Sequence, residues 1–102
     1  MKYKTSELVG EALNQAVANA SAEAAGVISY ADYCGMWEYG GPIIEREGIE
    51  LWKWKGDDGA YWCAHVGGRR IDSADKESIG DTPLVAAMRA FVTAKLGAEV
   101  DL

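Results

Sequence analysis

Histidine occurs once, as His65, and cysteine twice, as Cys34 and Cys63. Protein zinc sites cluster Cys and His at short spacings such as Cys-x-x-Cys or His-Glu-x-x-His. Neither spacing is present, so no metal is expected. Two well-separated cysteines do not make a disulfide framework, and both are expected to be reduced, partly buried apolar residues. Long apolar runs are also missing. None approaches the roughly 20 residues that span a bilayer, and the opening MKYKTSEL has no apolar signal region. The chain therefore reads as cytoplasmic, without a membrane partner. Basic residues are in deficit, 10 Lys plus Arg against 16 Asp plus Glu, for a net charge of −6. The phosphate-neutralising surface of ordinary nucleic-acid binding is not available on balance. Such acidity suits solubility or a basic partner.

What is present is the composition of a folded domain. The 102 residues are 49% apolar and 25% charged, close to the globular average. One domain, residues 1–102, is expected.

The patterning predicts an α+β fold. A small antiparallel sheet, made of a hairpin at about 49–66 plus one or two further strands, packs against two main helices at about 6–20 and 83–96. A short helix at 42–47 completes it. Leu8, Val9, Ala12, Leu13, Ala16, Val17 and Ala20 form one apolar helical face behind a Thr5 or Ser6 cap, with Gly10 inside the helix. Pro42 suits a first helical position and Gly48 a left-handed stop. On this reading Gly40 and Gly41 precede a helix N-terminus and offer backbone N–H groups to an anion. Val27 to Tyr30 reads as strand-like, followed by aromatic residues that pack on the body or line a site. The hairpin carries bulky residues on both faces, so one face covers the helices and the other meets a ligand, a strand or a second subunit. Residues 67–80 read as a long loop with a short strand at Arg69 to Ile71. Thr82 caps the last helix, Pro83 fills its first position, Gly97 ends it, and residues 98–102 add a short strand.

A catalytic set is hard to assemble. Cys63 and His65 share a strand face, but neighbours on one face point in parallel and lack an orienting third group. Glu45 and Glu47 would diverge on a helix. Hydrolysis of a nucleotide by Glu45, Glu47 or His65 is the enzymatic alternative. Binding is better supplied: Trp37, Trp52, Trp54, Trp62 and Tyr61 give flat apolar faces, and Arg46, Arg69, Arg70 and Arg89 give planar phosphate-matching donors. Arg89 stands out on the last helix among small residues that would let a ligand or another chain approach. Thr82 and Pro83 offer a hydroxyl and free N–H groups at that helix's start.

The ordered blocks Lys4-Thr5-Ser6-Glu7-Leu8, Ala12-Leu13, Gly40-Gly41-Pro42-Ile43-Ile44-Glu45-Arg46-Glu47-Gly48, Thr82-Pro83-Leu84-Val85-Ala86-Ala87-Met88-Arg89 and Lys95-Leu96-Gly97 resemble the NinX-like family of small phage proteins. The family's first helix continues after Ala-Leu with an aromatic residue, where Asn14 and Gln15 stand here. Proteins of this kind look similar to the phage anti-Thoeris sponges, which capture a cyclic ADP-ribose signal without cleaving it. That resemblance implies a non-enzymatic, cofactor-free homo-oligomer, a dimer or larger, that takes a cyclic nucleotide-type small molecule between subunits. It implies an aromatic residue stacked on adenine, Trp62 or a neighbouring Trp, with Arg46, Arg70 and Arg89 on the phosphates. Thr82 completes the expected ligand-binding set. The alternative is an acidic phage accessory protein that binds a host protein.

Overall fold

The computed structural model describes residues 1–25, 30–56, 59–66 and 78–102. The elements run β1 (Lys2–Lys4), a 3-10 turn (Thr5–Glu7), α1 (Gly10–Ala25), α2 (Trp37–Glu47), β2 (Glu50–Gly56), β3 (Gly59–His65), β4 (Ser78–Gly80), α3 (Pro83–Leu96) and β5 (Glu99–Asp101). This is the expected α+β architecture. β2, β3 and β4 form one antiparallel sheet in that order, and β1 pairs antiparallel with β5 in a second, two-stranded sheet. The proposed strand near Val27 falls mostly outside the described residues, and the strand at Arg69 to Ile71 falls wholly outside them.

α3 is the hub. It contacts α1, α2, the 3-10 turn, the three-stranded sheet and β5. Its sequence is apolar on most sides, which fits a helix surrounded by protein. Leu84, Ala86, Ala87, Met88, Ala90, Phe91 and Val92 are all buried, facing Leu13, Ala16, Val17 and Ala20 of α1 among others. Full burial of a side chain such as Phe91 or Met88 is worth roughly 1.5–3 kcal/mol relative to exposure. The small residues beside Arg89 thus serve internal helix packing and do not open the surface to a ligand, correcting the expectation above. The ends of α3 are as expected: the Thr82 hydroxyl accepts from the Val85 N–H at 3.1 Å, Pro83 follows, and Gly97 terminates it.

The first helix starts later than the sequence suggests. Thr5 is no cap for it; its hydroxyl donates to the Gly97 carbonyl at 2.8 Å and its N–H to the Ala98 carbonyl at 2.9 Å. Those bonds tie the two ends of the chain together, and β1 sets Lys2 opposite Asp101 and Lys4 opposite Glu99, opposite charges in register. Gly10, with φ 56, begins α1 rather than interrupting it.

α2 also departs from the reading. It begins at Trp37, so Pro42 lies inside it and cannot donate to the Glu38 carbonyl four residues back. The Gly40 N–H is spent on the Met36 carbonyl at 3.0 Å, which removes it as an anion donor. Gly40 is needed for proximity instead: a Cβ there would lie 2.6 Å from Leu84 Cδ2 on α3. The Gly48 stop is as expected, with φ 65. Of the aromatic segment before it, Tyr33 is buried while Tyr30, Met36, Trp37 and Tyr39 are exposed.

Candidate functional site: a cleft beside the hairpin tip

The register of the hairpin decides which aromatic side goes where. Lys53 pairs with Trp62 and Trp62 with Gly80, whereas Trp54 pairs with Tyr61, and Trp52 with Cys63 and then Ile79. Paired residues share a face, so Trp62 and Ala64 lie on one side and Trp54, Tyr61, Cys63 and Ile79 on the other. The Trp62 side packs on the core, together with Leu51. Trp62 is consequently a half-buried wall residue, with the Lys53 ammonium 6.0 Å from its ring centroid.

β4 is short and meets β3 only over Trp62 to Ala64, so the hairpin tip projects past it. The step between them is a cleft of about 630 Å³ lined by Trp54, Gly59, Ala60, Tyr61, Ile79, Gly80, Asp81 and Arg89. That size suits a small organic ligand. Trp54 and Tyr61 form one wall, stacked with ring centroids 5.2 Å apart and planes at 21°. A cross-strand aromatic pair of this kind stiffens a hairpin and presents a continuous π surface.

Arg89 and Asp81 supply the charge. The Arg89 Nη1 donates to the Ile79 carbonyl at 2.7 Å and its Nε to the Leu8 carbonyl at 2.9 Å, which fixes the guanidinium where β4, the N-terminal segment and α3 meet. Partial burial lowers its pKa, opposed by the nearby Asp81 carboxylate. It remains a cation at any ordinary pH. The N–H groups not spent on these carbonyls are the donors available to an anion. The floor is Gly80, where a Cβ would lie 2.7 Å from the Ala86 nitrogen, so only glycine lets β4 sit this close to the start of α3.

The other residues expected to bind a ligand are distributed differently. Arg46 does not line the cleft: its Nε is 3.0 Å from Glu47 Oε2 and its guanidinium lies over the Phe91 ring, 5.8 Å from the centroid. Phe91 and Arg89 are separated by about 200° around α3, so the two arginines address different sides of that helix. Thr82 sits next to Asp81 with its hydroxyl committed to the helix cap. Arg70 lies outside the described residues. Trp54, Tyr61, Ile79 and Asp81 supply the cleft's other large or charged side chains, and of these only the two aromatics carry a signal in the sequence.

Two polar groups lie away from the cleft. Asn14, buried on α1, donates from Nδ2 to Asp32 Oδ1 at 2.9 Å and accepts from the Cys34 N–H at 3.0 Å. This side chain, standing where an aromatic residue was expected, holds the loop before α2 against α1. Burial, then the neighbouring Asp32, pushes the Cys34 thiol pKa up. His65 is buried on β3, and among the described residues its Nδ1 has no hydrogen-bond partner. Neither cysteine is in a disulfide, and both are buried. Among the described residues, no helix is long and apolar enough to cross a membrane.

No curated protein matches the chain at a significant level. Residues 34–95, from the loop before α2 through nearly all of α3, match the family described as "Bacteriophage P22, NinX". That segment contains the whole described lining of the cleft, and the chain belongs to this phage NinX family.

Proposed function

We propose that this phage protein binds a nucleotide-derived signal, of the cyclic ADP-ribose kind, and sequesters it without cleaving it. The observation that carries the reading is the union in one cleft of the stacked Trp54–Tyr61 pair and the anchored Arg89. A base lies flat on an aromatic surface with little demand on sequence or donor pattern, and a phosphate takes the guanidinium N–H groups. A second subunit of a homo-oligomer would complete the enclosure of a ligand in this cleft. Calorimetry with cyclic ADP-ribose isomers and cyclic oligonucleotides tests the binding; a folded protein that takes up none of them ends the proposal. Mass analysis of the ligand released by heat denaturation tests the second half: an intact ligand is expected, and a hydrolysed one makes the protein an enzyme. Sedimentation reads the assembly, with a dimer or larger expected.

A second reading has its own support. Met36, Trp37 and Tyr39 at the start of α2 are exposed, beside Glu38. Exposed aromatic residues grouped on one helix end suit a host-protein contact. A stoichiometric partner captured from host lysate by the wild type, and lost with Trp37→Ala, would favour it.

A further inference from the structure

We infer that the cleft selects ligands whose phosphates are singly charged diesters and turns away terminal phosphate chains, because Asp81 shares the site with Arg89. The inference rests on the nucleotide reading above and specifies its ligand class. Among the described residues lining the cleft, the charged side chains are Arg89 and Asp81, so this described lining carries no excess of positive charge. The whole chain carries −6. Arg89 cannot compensate by movement. Its bonds to the Leu8 and Ile79 carbonyls hold the guanidinium in place, and following an extended triphosphate would break them.

The consequences differ for the two phosphate classes. A diester oxygen takes the remaining Arg89 N–H groups, and each diester phosphate brings one negative charge against about two on a terminal phosphate, so a cyclic ADP-ribose carries about half the charge of ATP. Each further charge on a terminal phosphate meets Asp81 with no additional cation in the described lining. Asp81 is exposed, so water moderates this repulsion, which still grows with each charge that the ligand adds beside it. Asp81 has a favourable role as well: as a carboxylate it accepts from a ligand hydroxyl or amino group, which a sugar or base supplies beside the stacked ring. An aromatic ring, a donor and a low-charge phosphate are together the ligand this cleft fits. Selectivity of this kind arises as much from the penalty on the wrong ligand as from contacts to the right one.

The test is calorimetry with cyclic AMP and ATP, without added metal, on the wild type, Asp81→Asn and Asp81→Glu. The wild type is expected to bind cyclic AMP about fivefold or more tighter than ATP, and Asp81→Asn to tighten ATP by about tenfold while changing cyclic AMP by less than about threefold. Asp81→Glu keeps the charge and should keep the preference. Raising salt to 0.5 M, about, should narrow the wild-type preference by screening. Wild-type affinity for ATP equal to or above that for cyclic AMP overturns the inference, as does an unchanged ratio in Asp81→Asn; in both cases the nucleotide reading survives. Binding of neither nucleotide, nor of any cyclic ADP-ribose isomer, by all three folded proteins removes that reading and the inference with it.

Discussion

The Arg89 guanidinium holds the Ile79 carbonyl at 2.7 Å, so the side chain proposed to meet an anion also fixes the strand that walls the cleft. The same group reaches the Leu8 carbonyl on the opposite end of the chain. The proposed binding role and a folding role therefore fall on one residue.

Arg89→Ala is expected to lower stability by about 1.5–3 kcal/mol, the range for hydrogen bonds made by a charged group. Arg89→Lys keeps the cation but loses the planar fork that addresses two carbonyls in different directions. It should recover part of any anion binding and little of the stability. Urea unfolding of both variants checks this; equal stability of Arg89→Lys and wild type would show that charge alone suffices.

Gly80→Ala tests the floor of the cleft. The new Cβ would lie 2.7 Å from the Ala86 nitrogen and 2.8 Å from Val85 Cγ1, and the backbone nitrogen cannot turn aside as a flexible side chain would. Overpacking of this sort costs about 1–3 kcal/mol and shifts the elements apart. The melting temperature should fall, and β4 amides should exchange faster with solvent.

How far these features are legible in the sequence depends on the range of the forces behind them. The ends of α3 are local: Thr82 reaches Val85 three residues on, and Pro83 and Gly97 act through their own backbone, so the helix reads correctly. α2 does not, because Pro42 is the usual mark of a helix start and the true start depends on Gly40 fitting between the Tyr33 carbonyl and Leu84. The tryptophans fail for a similar reason. Both hairpin faces carry bulky residues, and alternation alone cannot tell which side meets the core. Pairing with Gly80, beyond a long intervening segment, puts Trp62 inside and leaves Trp54 in the cleft. Arg89 is conspicuous as a cation on an apolar helix, but its partners Leu8 and Ile79, 81 and 10 residues away, are not.

Asn14 bridges Asp32 and the Cys34 N–H from inside the protein. Asn14→Leu strands that N–H and should cost about 1–3 kcal/mol. Asn14→Asp retains an acceptor for Cys34 but sets a second carboxylate against Asp32. Its loss should be greater at neutral pH than in acid, where protonation relieves the repulsion. Denaturation of the two variants at pH values on either side of the carboxylate range separates these effects.

Glu47 ties α2 to α3 through Lys95 at 3.3 Å. Its burial alone would raise the carboxyl pKa, but the hydrogen bonds and charges of Arg46 and Lys95 outweigh that and hold it below the ordinary value. A carboxyl with a depressed folded pKa contributes stability above its unfolded pKa and loses it as pH falls through the folded one. Glu47→Gln should therefore cost stability at neutral pH and little well below pH ~4. The difference should stay under about 1 kcal/mol, since both cations are partly exposed. Convergence of the wild-type and variant unfolding curves in acid is the result to look for.

Trp54 and Trp62 separate the proposed binding surface from a packing surface within one hairpin. Trp54 is exposed and stacked on Tyr61 in the cleft, whereas Trp62 packs on the core from the opposite face. Loss of a stacking side chain costs a bound base about 1–3 kcal/mol, or roughly fivefold to more than a hundredfold in affinity. Trp54→Ala should therefore weaken a cyclic nucleotide strongly with a small change in melting temperature. Trp62→Phe, which keeps an apolar ring against the core, should leave affinity nearly unchanged, and Trp62→Ala should lower stability first. Ligand-induced quenching of tryptophan fluorescence should vanish with Trp54→Phe and persist with Trp62→Phe. The reverse pattern would move the ligand to the Lys53 and Trp62 side of the sheet and overturn its placement against Trp54.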